Sequence, residues 1–163
     1  MKHMWDDRYS TGQYIYGKES NGFFSTELRK RIPGRILLPG EGEGRNAVHA
    51  ALSGWEVDAF DQSVVGLIFF HAGPDQRNYL HRRVYESLKP CGRVILEAFH
   101  KQQLGKNSGG PGSLDLLFDE ELILSDFSGL EPVLLEKQIV TLNEGSFHQG
   151  EASVIRFTGV KPD

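Results

Sequence analysis

The chain has 163 residues, 39% hydrophobic and 25% charged, which fits one globular domain spanning 1–163 and leaves no room for two cores. Eighteen Lys and Arg against 22 Asp and Glu give a formal charge of −4, so a non-specific grip on nucleic acid or a membrane surface, which needs a basic face, is not expected. A single cysteine, Cys91, excludes an intrachain disulfide framework and suits a reducing, cytoplasmic setting, while no apolar run approaches the roughly 20 residues of a membrane span and the start lacks the apolar core of a signal peptide.

Residues 1–22 are polar and aromatic, with Trp5, Tyr9, Tyr14 and Tyr16 among Asp, Arg, Ser, Thr and Gly. They show no sustained period, and a lid or loop is expected. A short amphipathic helix is predicted over 22–30, with Phe23, Phe24 and Leu28 apolar and Ile32-Pro33-Gly34 ending it. The run 35–38 reads as a buried strand, and Gly40-Glu41-Gly42-Glu43-Gly44 follows it. Residues 45–53 read as a helix with Val48 and Leu52 on its apolar stripe, and 55–61 as a second strand. Strand, glycine turn, helix, strand is a βαβ unit and implies a parallel sheet.

The run 67–70 is a further buried strand. Pro74 opens a helix with Leu80, Val84 and Leu88 as its stripe and Arg77, Arg82, Arg83 and Glu86 on a wet face, and His81 is read as solvated with its arginine neighbours. Pro90-Cys91-Gly92 stops it before a strand over 94–99, whose Glu97 reads as a surface carboxylate. Residues 101–114 form a glycine-rich loop. Asp119 is placed to cap a short helix through Phe127. Residues 133–142 and 152–160 read as an antiparallel hairpin around Asn143-Glu144-Gly145.

Glycines at spacing two between a strand and a helix let the backbone approach a ligand without a Cβ in the way. The helix N-terminus behind them offers free N–H groups and a positive dipole end. A carboxylate, a ribose or a phosphate suits such a turn. Asp61, at the end of the next strand, is placed to accept both hydroxyls of a ribose. Arg45 stands where a dinucleotide fingerprint would bring its third glycine, so a nicotinamide enzyme is disfavoured. Glu41 and Glu43 beside the turn also argue against a polyanion, and a nucleoside without phosphates fits better.

Ile36-Leu37-Leu38-Pro39-Gly40-Glu41-Gly42-Glu43-Gly44-Arg45-Asn46-Ala47 resembles motif I of the class I S-adenosylmethionine-dependent methyltransferases. Asp61-Gln62-Ser63 resembles the acidic residue after their second strand, and Leu88-Lys89-Pro90-Cys91-Gly92-Arg93 their turn before the fifth strand. The opening Trp5-Asp6-Asp7-Arg8-Tyr9, with Tyr14 to Gly17, is similar to the lid of the tellurite-resistance-type, small-molecule branch. The resemblance implies a Rossmann-like, mostly parallel sheet with helices on both faces and a C-terminal antiparallel hairpin. It implies S-adenosylmethionine held by Gly40, Glu41, Gly42, Gly44, Arg45, Asn46, Asp61, Gln62 and Ser63, with Trp5, Arg8, Tyr9 and Tyr16 closing over it. The reaction implied is methyl transfer to a small-molecule or small inorganic acceptor; the alternative is a regulatory protein that binds the donor without turnover.

The sequence departs from the family between residues 61 and 68, where a helix, a third strand and a second connection are normally found. Five or six extended residues span about 20 Å, and returning along a five-residue strand takes about 17 Å before any sideways step. A parallel crossover normally takes a dozen or more residues. An altered sheet, an exchange of elements in a homodimer, or an absent segment each answers this shortage.

His71, at the C-terminal end of the run 67–70, is placed either to orient or deprotonate an acceptor or to bond to backbone. His148 lies in the tail loop, either over the pocket or solvated. The histidines at 3, 49, 71, 81, 100 and 148 show no metal-ligand spacing, and no metal is expected.

Overall fold

The computed structural model describes residues 17–39, 44–57 and 62–163. Its centre is a six-stranded sheet of order β2-β1-β3-β4-β6-β5. The strands are β1 (Arg35–Leu37), β2 (Glu56–Val57), β3 (Gln62–Ile68), β4 (Leu88–Phe99), β5 (Glu131–Glu144) and β6 (His148–Val160). The first four run parallel to one another; β6 and β5 are added antiparallel. The fold is thus a Rossmann-like, mostly parallel sheet closed by a long C-terminal hairpin.

Alternate residues of the central strands feed two cores, as the two-residue period of a strand covered on both faces requires. Val64, Ile68 and Ile95 face α1 (Gly22–Arg29) and α2 (Arg45–Leu52), meeting Phe24, Leu28 and Ala50. Val65, Leu67, Val94, Leu96 and Ala98 face α3 (Pro74–Ser87) and α4 (Glu120–Asp126), meeting Val84, Ile123 and Phe127. Each helix starts where its chemistry directs. The Asn21 side chain accepts from the Phe24 amide at the start of α1, Pro74 occupies the first turn of α3, and Asp119 caps α4 by accepting from the Leu122 amide.

Val57 pairs with Ile36, which pairs on its other side with Val64, so β2, β1 and β3 meet at one level of the sheet. Six residues separate Val57 from Val64, and two strand spacings are about 10 Å. Residues 58–61, at the end of the strand predicted over 55–61, lie outside the described residues. The strand predicted over 67–70 instead occupies Gln62–Ile68, leaving Phe69 and Phe70 beyond it.

Two predicted faces are corrected. Val48 and Leu52 are 59% and 85% exposed, and α2 buries Asn46 and Ala50 instead. Arg77 and His81, assigned to a wet face, are buried. The reason is Asp126 at the end of α4, whose Oδ2 accepts from Arg77 Nε at 2.9 Å and lies 2.8 Å from His81 Nδ1. Burial pushes the Asp126 carboxyl up, but these two neighbours outweigh it and hold it below the usual carboxylate range.

Cys91, where the resembling family has glycine, is exposed and has φ of +59°. A side chain in this left-handed region is strained by about 1–2 kcal/mol, part of which glycine returns as unfolded-state entropy. Cys91→Gly is therefore expected to stabilise the protein by about 0.5–1 kcal/mol, and the β-branched Cys91→Val to destabilise it, read as urea unfolding midpoints. Light scattering addresses the connection: an 18.3 kDa particle in solution removes the exchanged homodimer, and twice that mass supports it.

Candidate functional site

Ligands of open parallel sheets bind beyond the C-terminal ends of the strands. At that edge the structure gathers a cluster of charged and amide side chains beside a cluster of aromatic rings. Gly44, just before α2, has φ of +78°, a conformation that excludes most side chains, and among the described residues none places a heavy atom within 4 Å of where its Cβ would stand. The free N–H groups at the start of α2 suit a small polar ligand.

The first residues of α2 are tied to the rest of the edge. Asn46 Oδ1 accepts from the Asn21 amide at 2.8 Å. Arg45 donates from Nη2 to Glu144 Oε2 at 2.6 Å and from Nη1 to the Glu19 carbonyl at 3.3 Å. Asn21 Nδ2 donates to two carboxylates, Glu97 at 2.6 Å and Glu144 at 3.1 Å. Arg156 pairs with Glu97 across β4 and β6, donating from Nε at 2.9 Å and from Nη1 to Gln138 at 2.6 Å, while its guanidinium lies 4.9 Å from the centre of the Phe23 ring. Two carboxylates are thus matched by two guanidiniums.

Their environments separate the two acids. Glu97 is 1% exposed. Burial raises its carboxyl above the usual range, Arg156 and Asn21 pull it back, and Glu144 pushes it further up. Burial also pushes Glu144 up, but His148 and Arg45 more than offset this and hold it below the usual range.

The two histidines meet around one ring. His71 stacks on Phe99 with centroids 5.6 Å apart, and His148 meets the same ring edge-on at 5.3 Å. Phe69, with φ of +50°, lies 4.7 Å from both Phe99 and His148. His71 bonds through Nδ1 to the Leu116 carbonyl at 2.6 Å. Burial lowers its pKa to about 4, opposed by that bond and assisted by His148. The glycine-rich loop closes over this group. A Cβ at Gly109 would lie 2.6 Å from the Phe147 carbonyl and 2.7 Å from His148, and one at Gly110 would lie 2.9 Å from Phe99. Gln103 holds the loop, donating to Ser108 Oγ and the Gly109 carbonyl and accepting from the Ser153 amide.

The structure therefore brings Gly44, Arg45, Asn46, His71 and His148 to one edge. His148 is buried against Phe69 and Phe99 rather than solvated. Ser63 is not brought there: it opens β3 beside Gly34, at the end of the sheet where β1 begins. Gln62 precedes it in the same strand. Trp5, Arg8, Tyr9, Tyr16, Gly40, Glu41, Gly42 and Asp61 lie outside the described residues. Within the expected lid, a Cβ on Gly17 would lie 3.6 Å from the Gly145 amide nitrogen in the hairpin turn. Asn21, Glu144 and Arg156 were not singled out from the sequence, and Glu97 was read as a surface group. The one usable signal was Arg156 and Glu97, opposite-charge residues each set in an apolar strand.

No protein-family model matches the sequence, and neither does any of the curated proteins compared with it. Solved structures do match. TehB from Haemophilus influenzae superposes with a TM-score of 0.69 at 12% identity, over 87% of this chain, and the chain spans only 62% of TehB. The 1,6-didemethyltoxoflavin N1-methyltransferase of Burkholderia thailandensis, with its substrate and S-adenosylhomocysteine bound, gives 0.62 at 16% identity over 99% of this chain and 84% of its own. The N-methyltransferase NodS of Bradyrhizobium japonicum, with S-adenosylhomocysteine, gives 0.60 at 8% identity over 99% and 98%. At these identities the likeness is one of architecture: the chain has the fold of the class I S-adenosylmethionine-dependent methyltransferases.

Proposed function

We propose that the protein is an S-adenosylmethionine-dependent methyltransferase acting on a small molecule. The observation that carries this is the coincidence of two things at one sheet edge. The fold is that of enzymes solved with the methyl donor or its product bound. At the edge where ligands of such sheets bind, Gly44 and the α2 N-terminus lie next to a buried group of polar and aromatic side chains. The donor supplies an activated methyl sulfonium, and the protein's task is to position it against a nucleophile.

Roles follow for this chain's residues. The turn at Gly40, Glu41, Gly42 and Gly44 takes the donor's amino-acid end, with Arg45 and Asn46 behind it. Asp61 takes the ribose hydroxyls. Trp5, Arg8, Tyr9 and Tyr16 close over the sulfonium, where aromatic faces favour a cation. His71 and His148 face the acceptor. The free, exposed Cys91 suits a cytoplasmic setting, and among the described residues no helix is long and apolar enough to cross a membrane.

Calorimetry with S-adenosylhomocysteine tests the binding role: Asp61→Ala is expected to weaken affinity by about 1.5–3 kcal/mol, the range for a hydrogen bond to a charged group. Unchanged affinity would remove Asp61 from the site. Binding of NADH in place of S-adenosylhomocysteine would overturn the methyltransferase reading, and donor binding with no methylated product from any acceptor would favour the regulatory alternative. For the lid, proteolytic cleavage within residues 1–17 is expected to slow when S-adenosylhomocysteine is added. Equal cleavage with and without it would leave that segment no role at the site.

A further inference from the structure

The deepest unpaired polar atom at the candidate site belongs to His71, and its chemistry restricts the acceptor. A carbonyl oxygen only accepts hydrogen bonds, so the 2.6 Å contact with Leu116 requires His71 Nδ1 to carry the proton. In the neutral ring Nε2 is then a bare lone pair. That atom is buried and has no hydrogen-bond partner among the described residues. Leaving a buried polar atom unpaired is unfavourable, and native structures rarely do so without a purpose. The ring packs against Phe99 and Phe118, centroids 5.6 and 5.8 Å away, and its removal from water favours the neutral imidazole over its cation.

Among the described residues, the guanidiniums of this edge are already paired with carboxylates. Arg45 is bound to Glu144, Arg156 to Glu97, and Arg77, whose guanidinium lies 5.8 Å from the Phe118 ring, to Asp126. The titratable neighbour on the hairpin is His148, across the Phe99 ring. An anionic acceptor would meet a lone pair and aromatic faces.

Resting on the methyltransferase reading, we propose that His71 Nε2 receives the hydrogen bond of the methyl acceptor. The acceptor is then a neutral molecule carrying a proton on its nucleophilic atom, a hydroxyl, thiol or heteroaromatic N–H, and not an inorganic oxyanion. In the transfer, the bond from the nucleophile to the methyl carbon forms. The carbon–sulfur bond of the sulfonium donor breaks, its electron pair remaining on sulfur as a neutral thioether. The nucleophile's proton passes to Nε2, and the positive charge moves from sulfur to the imidazolium. An oxygen or sulfur atom that has just gained a methyl group is far more acidic than imidazolium, so a weakly basic imidazole suffices as acceptor. The proton then leaves to water.

Nitrogen-15 NMR on the full chain with S-adenosylhomocysteine tests this without turnover. His71 is expected to show a protonated Nδ1 and a bare Nε2 at neutral pH. Phenol or catechol is expected to shift Nε2, and tellurite to leave it unmoved. In single turnovers with S-adenosylmethionine, His71→Asn, whose amide can still donate to Leu116, is expected to slow methylation of whichever probe is accepted by about 10²-fold. Its affinity for S-adenosylhomocysteine, by calorimetry, should stay within twofold. A proton on Nε2, no shift with either protic probe, tellurite methylated as fast as they are, or an unslowed His71→Asn variant would overturn the proposal. Failure of the wild-type chain to bind S-adenosylhomocysteine would instead count against the methyltransferase reading, while the Nε2 proton state is still read.

Discussion

Glu97 is a carboxylate set into a strand with sheet on both sides, and most of the upper edge of the molecule is arranged to keep it there. Moving a charge out of water costs several kcal/mol unless the charge is paired and its lone pairs are filled. Two groups reach the Glu97 carboxylate: Arg156 from the neighbouring antiparallel strand donates to Oε1, and Asn21 at the start of α1 donates to Oε2. Because Asn21 also caps α1 and bonds to Asn46 and Glu144, one asparagine connects the first helix, the second helix, the central strand and the hairpin. The positions of these elements are coupled through a buried charge rather than through apolar packing alone.

That coupling explains why the hairpin is so long. The parallel strands are short on the β1 and β2 side, and β2 contributes only two residues. On the other side β5 and β6 run for 14 and 13 residues and carry Gln138, Glu144, His148 and Arg156 to the site. Much of the candidate site is therefore supplied by the antiparallel addition.

The features legible in the sequence were those whose signals are local. The Asp119 cap, Pro74 at the start of α3 and the hairpin all depend on residues within a few positions of one another. What the sequence concealed depends on distant partners. Glu97 reads as a surface acid until Asn21, 76 positions earlier, and Arg156, 59 later, fold onto it. Arg77 and His81 read as solvated until Asp126 arrives from α4, 49 and 45 positions away. Val48 and Leu52 failed in the opposite sense, because periodicity marks a face but not whether anything covers it. At the site, His71 was read as either an acceptor-facing group or a backbone-bonded one. Both halves of that choice are compatible, since one ring nitrogen meets Leu116 and the other is left over.

The edge is divided into a charged half and an aromatic half, and the boundary between them falls at the end of β3. There the chain turns through Phe69 in a left-handed conformation rare for a bulky residue. Such strain persists only where surrounding contacts over-determine it. The contacts are visible: the Phe69 amide is held by Glu97, and its ring by Phe99 and His148. The same residue thus joins the main chain of the strand that carries Glu97 to the ring of His148. The loop opposite completes the aromatic half with glycines at 109 and 110, because a Cβ there would strike Phe99, His148 or the Phe147 carbonyl. In the polar half the carboxylates of Glu97 and Glu144 are each paired with a guanidinium, whereas His71 Nε2 in the aromatic half has no donor among the described residues. On the proposal made for His71, discrimination between ligands at this edge depends on which of them brings a proton to the aromatic side.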